Sequence, residues 1–329
     1  MYLKNKNILF INTGGGLGDA LNCLPIINCI NKYFKPKDLY YYSVDLDNYW
    51  FETKLKEFKP KTLKTVNVFP KYFGFRDFHK KISQNLINNF NFDQFDLIID
   101  NQTRFKTALI YKKIPHKYYI TPCLNYTLSN PLYFMSQNKN FNLRIFNYLS
   151  KVLSKRIRPN YNLKIPKEFM NAANKLMPNN KRYIGFSITV GHPTRKKEFN
   201  INEIIKVANF YSKNFIPTFF IEKKYEKLKK LIKKKVPKSF FPEEKISIKY
   251  QKPMIVTALG SLTKFNISVD NGISHMLSFS GVKNYIFYSE NSEKFKPINK
   301  LSIVYDCKKN NKKIDELKAE EIIEFLKKY

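Results

Sequence analysis

A chain of 329 residues with 43% hydrophobic and 26% charged side chains holds enough apolar matter for one large or two medium domains, which excludes global disorder. Its formal net charge of +33 comes from 59 Lys plus Arg against 26 Asp plus Glu. Only seven of those cations are arginine, Asn, Ile, Phe and Tyr are abundant, and the basic residues are scattered with no binding module in view, so AT-rich codon usage explains most of the charge and nucleic acid is excluded as a partner.

The run Ile8 to Ile11 is too short for the apolar core of a signal peptide and leads straight into glycines, so Asn7 to Asn12 is read as a strand. A helix comes next, through Leu21, Leu24, Ile27 and Ile30. Leu21 to Ile30 is the longest apolar stretch, but Asn22, Pro25 and Asn28 interrupt it, well short of the ~20 residues that span a bilayer. Further strands are expected at 39–44, 65–69, 95–100 and 118–121. The stretch from Pro122 to Pro166 reads as mostly helical, with 141–153 its best helix and Arg156 to Pro166 a linker. A second series then alternates strands at 183–189, 217–221, 246–250, 265–269 and 284–288 with helices at 201–211, 223–235, 254–262, 273–279 and 316–328.

Such alternation implies right-handed βαβ units and parallel sheets. Two series around a proline-containing linker predict two Rossmann-like, doubly wound α/β domains facing across a cleft. Their expected bounds are 1–160 and 161–329, with the last helix free to pack back on the first domain. Cys23, Cys29, Cys123 and Cys307 show no C-x-x-C spacing, so neither disulfides nor a zinc site is expected, and the cytosol is the implied compartment.

Glycine is scarce, ten in all, and four of the ten stand at Gly14, Gly15, Gly16 and Gly18, where the first strand turns into the first helix. Glycines there permit positive φ and close approach by another molecule. A dinucleotide-binding fingerprint, with Asp45 as ribose ligand, is one reading, but Asp19 stands where the third glycine belongs and its carboxylate would repel a pyrophosphate. A plain structural turn is a second reading. The third, which we favour, is that Asp19 is a catalytic base held out at a helix start.

Near the other end, the strand 265–269 runs into Asp270-Asn271-Gly272 and a new helix, with His275 on its first turn. The bland alternative makes Asp270 an N-cap and His275 a core histidine. Between them lies a basic loop, Gly191-His192-Pro193-Thr194-Arg195-Lys196-Lys197-Glu198-Phe199, able to clamp a phosphate. The nine lysines between Lys223 and Lys238 surround an amphipathic helix and read as a solvated face.

Together these motifs resemble glycosyltransferase family 9, the family of the ADP-heptose:lipopolysaccharide heptosyltransferases. Gly18-Asp19 with Leu24-Pro25 matches its N-terminal hallmark, Asp270, Gly272 and His275 its C-terminal one, and Lys197-Glu198-Phe199 echoes its central basic segment. Asn271, Phe199 and Lys283-Asn284 depart from the family pattern, as do the bulky Met276, Leu277 and Phe279. The resemblance implies a GT-B fold and inverting, metal-independent sugar transfer without a cofactor. Asp19 would be the general base. Thr194 and Lys197 would hold the donor diphosphate, Asp270, Asn271, Gly272 and His275 would line the donor site, and Glu226 would meet the ribose.

The implied donor is a nucleotide sugar, foremost ADP-heptose, and the implied acceptor a membrane-anchored glycan of lipopolysaccharide type. The implied setting is the cytoplasm, with peripheral contact to the anionic inner face of the membrane. A transferase using another nucleotide sugar for capsule or O-antigen synthesis remains an alternative. So do a non-catalytic nucleotide- or glycan-binding relative and an NAD-dependent oxidoreductase.

Overall fold

The computed structural model describes residues 4–12, 16–43, 50–66, 88, 90–101, 103–133, 135, 138–190 and 197–329. The chain divides into two compact units, Met1–Tyr161 and Asn162–Tyr329.

In the first unit the order is β1 (Asn7–Asn12), α1 (Leu17–Phe34), β2 (Asp38–Ser43), β3 (Leu63–Val66), β4 (Phe95–Asp100), α2 (Phe105–Tyr111), β5 (His116–Ile120) and α3 (Phe141–Val152). The five strands form one sheet in the order β3-β2-β1-β4-β5, every pair parallel. Ile8, Leu9, Phe10 and Ile11 are all fully buried. Their unbroken apolar run, with no alternation, is what a central strand covered on both faces requires. The apolar positions of α1 that repeat at helical spacing, Leu21, Leu24, Ile27 and Ile30, are likewise fully buried.

The second unit runs α4 (Lys167–Leu176), β6 (Tyr183–Ser187), α5 (Ile201–Tyr211), β7 (Ile216–Phe219), α6 (Glu226–Lys235), α7 (Pro253–Ser261), β8 (Thr263–Val269), α8 (Gly272–Leu277), β9 (Asn284–Tyr288), α9 (Ser292–Phe295), β10 (Ser302–Asp306) and α10 (Ala319–Lys328). Its sheet order is β10-β9-β8-β6-β7, again wholly parallel. The closing helix, which the sequence left free to pack back on the first domain, buries Ile322 and Leu326 in the core of its own unit. The Ala319 amide at its start donates to Glu203 Oε2 of α5 at 2.9 Å.

The expected strand at 246–250 is absent. That stretch holds a short 3-10 turn, Ile248–Tyr250, and Ile248 is 83% exposed. The edge of β7 that such a strand would need is already covered by Phe240, whose N–H donates to Pro217 O at 2.8 Å and whose carbonyl accepts from Phe219 N at 2.8 Å. The stretch 122–166 is also less helical than expected: α3 is its one α-helix among the described residues, accompanied by a 3-10 turn at Cys123–Tyr126.

Both sheets reverse their winding at one point, between β1 and β4 in the first and between β6 and β8 in the second. In open parallel sheets the crevice beyond the strand C-termini at such a switch is where ligands bind. At the second switch the strands approach so closely that Gly185 of β6 has no room for a side chain. A Cβ there would stand 2.0 Å from Asn266 Oδ1 of β8 and 2.8 Å from Phe220 Cε2. Asn266 is fully buried, and its amide is held by Thr263 Oγ1 at 3.1 Å and Gly260 O at 3.4 Å, so it cannot retreat. Gly185→Ala is therefore expected to lower stability by about 2 kcal/mol through overpacking, read as a lower urea midpoint in circular dichroism.

Candidate active site

At the switch of the first sheet, β1 ends in Asn12 and β4 in Asp100. The Asn101 amide N–H continues the ladder to Ile11 O at 3.0 Å, and the Asn101 side chain donates to Cys23 Sγ at 3.8 Å. Asn12 Nδ2 donates to the Tyr41 hydroxyl at 2.9 Å. Asp19 is the third residue of α1 and is half-buried. Its carboxylate accepts a hydrogen bond from the Gly16 N–H at 3.0 Å, and no described lysine or arginine pairs with it. An acid in the first helical turn is favourably placed in the helix dipole. Burial first, and the Asp19 charge second, hold the Cys23 thiol well above its ordinary range, which disfavours its thiolate.

Gly16 has φ −86° and ψ 155°, a conformation open to any residue, and among the described glycines only Gly281 has positive φ. What Gly16 supplies is closeness, since a Cβ would lie 3.1 Å from Asp19 Oδ2. Gly18 is the second residue of α1 and half-buried. Gly14 and Gly15 lie outside the described residues, as do Asp45 and Thr194.

At the switch of the second sheet, β8 delivers Asp270, Asn271 and Gly272. The Asp270 carboxylate forms an ion pair with the Lys197 ammonium; both side chains are largely buried. Asn271 uses its whole amide. Its Oδ1 accepts from the Ser274 N–H at 2.8 Å, which caps α8. Its Nδ2 donates to Ser187 Oγ at 2.9 Å and to Thr189 O at 2.7 Å, tying the exit of β8 to the exit of β6. Asn271 thus positions its neighbours, with little capacity left for a ligand. Gly272 opens α8, and His275 is buried one turn on.

The next two residues in the chain, Glu198 and Phe199, anchor the backbone that carries Lys197. Glu198 Oε1 accepts from the Val190 N–H at 3.2 Å, and Phe199 is buried edge-on against Phe287 at 5.1 Å. A cavity of about 50 Å³ behind Thr189, Glu198 and Phe199 is too small for a nucleotide. The bulky Met276, Leu277 and Phe279 are all buried and so belong to packing. Leu277 fits because α7 carries Gly260 opposite, where a Cβ would stand 2.5 Å from Leu277 Cδ2.

Glu226, the first residue of α6, is 61% exposed and pairs with buried Lys229 at 3.4 Å. Lys229 also pairs with Glu243 at 2.5 Å, and no described contact joins Glu226 to Lys197 or Asp270. The structure therefore gathers Lys197, Asp270, Asn271, Gly272 and His275 at one switch and Asp19 at the other. It adds Ser187, Thr189 and Asn284, which sequence reasoning missed. Asn284 Nδ2 donates to Ser274 O at 3.0 Å and its Oδ1 accepts from Ser268 Oγ at 3.0 Å. The one signal for these residues was polarity within or just beyond otherwise apolar strands.

At the level of sequence, no family model and no curated protein matches this chain. Solved structures do. A glycosyl transferase family 9 protein from Veillonella parvula superposes over 100% of this chain and 98% of its own, with TM-score 0.69 at 16% identity. The E. coli heptosyltransferase WaaC, solved with ADP-2-deoxy-2-fluoro heptose, covers 98% of this chain and 99% of its own with TM-score 0.67 at 15% identity. The chain has the GT-B fold. A third GT-B structure, E. coli ADP-heptose lps heptosyltransferase II, matches with TM-score 0.65 at 12% identity over 98% of this chain and 97% of its own. The ten parallel strands in two five-stranded sheets are the two Rossmann-like halves of GT-B.

Asn271→Ala removes a helix cap, typically worth ~1 kcal/mol, and strands the buried Ser187 hydroxyl and Thr189 carbonyl. A total loss of about 2–3 kcal/mol is expected, measured by thermal unfolding. Asn271→Ser, which retains a cap, should recover part of it.

Proposed function

We propose that this chain is an inverting glycosyltransferase that moves a sugar from a nucleoside-diphosphate donor to a glycan hydroxyl, with Asp19 as base and Lys197 on the leaving diphosphate. One observation carries the reading: the two switch points treat their acids oppositely. Asp270 is paired with Lys197, whereas among the described residues Asp19 is met by a backbone N–H and by no lysine or arginine. A carboxylate without a cation is suited to take a proton, and a buried ammonium is suited to meet growing phosphate charge.

The reaction then runs in one displacement. Asp19 accepts the acceptor's hydroxyl proton as that oxygen forms a bond to the anomeric carbon. The bond from that carbon to the diphosphate oxygen breaks, and the electron pair leaves with the diphosphate. Lys197, drawn from Asp270 toward the departing charge, stabilises the transition state more than the ground state. Asp270 is then free to accept hydrogen bonds from the donor.

The donor is inferred to be an ADP-sugar of heptose type, because the GT-B structures that this chain resembles include a heptosyltransferase solved with an ADP-heptose analogue. Thr194 and His275 complete the donor side and Glu226 the ribose contact in this proposal. The acceptor is a membrane-anchored glycan of lipopolysaccharide type, met at the inner face of the cytoplasmic membrane. Among the described residues no helix is long and apolar enough to cross a membrane, so contact through the surface is the route proposed.

Asp19→Asn is expected to lower kcat by ~10²–10⁴-fold while leaving ADP affinity unchanged in calorimetry. Equal loss of both would reduce Asp19 to a cap of α1. Lys197→Ala should weaken ADP binding by roughly 10–100-fold, the worth of a charge-assisted hydrogen bond; unchanged affinity would remove Lys197 from the donor site.

A further inference from the structure

Between Asp100 and Glu168 the sequence contains no Asp or Glu, yet it carries thirteen Lys and Arg, including four of the seven arginines. Codon usage that favours lysine does not remove Asp and Glu, whose codons also tolerate A and T. Codon bias therefore explains the cations of this stretch and leaves the missing acids unexplained. Arg104, Lys106, Lys113, Lys117 and Lys139 are all exposed.

The same stretch holds every large apolar side chain that stands exposed among the described residues of the first unit: Phe105 at 45%, Leu124 at 56% and Leu132 at 48%. They stand on three connected segments. Cys123 Sγ donates to Thr103 O at 3.6 Å, linking the start of α2 to the turn after β5. Tyr126 stacks on Tyr148 with ring centres 4.8 Å apart, and the Tyr148 hydroxyl donates to Pro131 O. Asn130, beside Pro131, exchanges two backbone hydrogen bonds with Tyr119 of β5, at 2.7 and 3.1 Å.

The turn is held against its own preference. Leu124, Asn125 and Tyr126 have φ of 46°, 52° and 69°, the left-handed region that a Cβ disfavours. A side chain that is 56% exposed returns little burial for that conformation.

We propose that Phe105, Leu124 and Leu132 form a ledge that seats the first unit on an anionic bilayer surface. The three apolar side chains enter the interfacial layer while the exposed basic side chains of the same stretch meet lipid phosphates. Apolar residues framed by Lys and Arg are the chemistry of interfacial binding, whereas a nucleic acid would offer nothing to the leucines. This rests on the transferase reading above and deepens it, because the ledge leaves the same C-terminal edge of the sheet from which Asp19 starts. A lipid-borne acceptor would then arrive beside the base.

The test is flotation of the full chain with vesicles of phosphatidylcholine containing about one-third phosphatidylglycerol, with no nucleotide present. The parent should bind these vesicles and not pure phosphatidylcholine, and added salt should weaken binding. The variant Phe105→Gln/Leu124→Asn/Leu132→Gln should partition at least ~10-fold less. Leu124→Asn alone should bind ~3-fold less while raising the unfolding midpoint, since Asn tolerates the left-handed region. A site needed only for folding would move both readouts the same way.

Lys227→Glu/Lys230→Glu/Lys234→Glu on α6 serves as the rival surface and should leave most binding intact. The proposal is overturned if the triple ledge variant floats like the parent, if pure phosphatidylcholine binds equally, or if the α6 variant alone loses the vesicles. ADP affinity, measured separately on the same proteins, tests the transferase reading; its absence alongside ledge-dependent flotation sinks that reading and leaves this surface standing.

Discussion

The side-chain amide of Asn271 fixes the geometry on which the second unit depends. At a switch point the two central strands part company: β6 sends its chain one way and β8 the other, and the ladder between them ends at Ser187 and Ser268. Asn271 bridges them with two donated bonds to Ser187 and Thr189, and with its oxygen it starts α8. Each partner is buried, so a lost bond leaves a polar group with no water to turn to. Asp270, which pairs with Lys197, immediately precedes this tie.

The two units solve the same topological problem with different chemistry. In the second, the switch is a closed network, with Ser268, Asn284 and Ser274 continuing the chain of bonds away from Asn271. In the first, the switch carries Asn12, Asn101 and Cys23 near Asp19, whose carboxylate is half-buried. The pairing of Lys197 with Asp270 offsets part of the cost of holding an ammonium away from water.

Much of this was legible in the residues, for reasons that differ from place to place. The strands Asn7–Asn12, Phe95–Asp100 and Asn284–Tyr288 stand out because burial on both faces demands apolar runs. Asp19, Asp270 and His275 stand out because glycine and histidine are scarce here and gather where strands become helices. Residues 246–250 misled because Ile246, Ile248 and Tyr250 alternate as a strand would, while the edge they needed was taken by Phe240. The strand β10 and helix α4 went unseen: one is a half-buried edge of five residues, the other a mostly polar helix burying Phe169, Ala172 and Ala173. Ser187, Thr189 and Asn284 were invisible as site residues because their meaning lies in partners far along the chain. Gly16 was legible as important and misjudged in its reason, which is room for a carboxylate and not an unusual φ.

The contact between Leu277 and Gly260 has an implication for descent. Two helices share one volume there, so bulk on one can be tolerated only where its counterpart is bare. Enlarging Gly260 alone meets the Leu277 side chain and shrinking Leu277 alone leaves a cavity, so paired exchanges are the favoured route of drift. Homologous chains that carry alanine at the first position are free to carry larger residues at the second, and the two columns would covary although neither touches the chemistry.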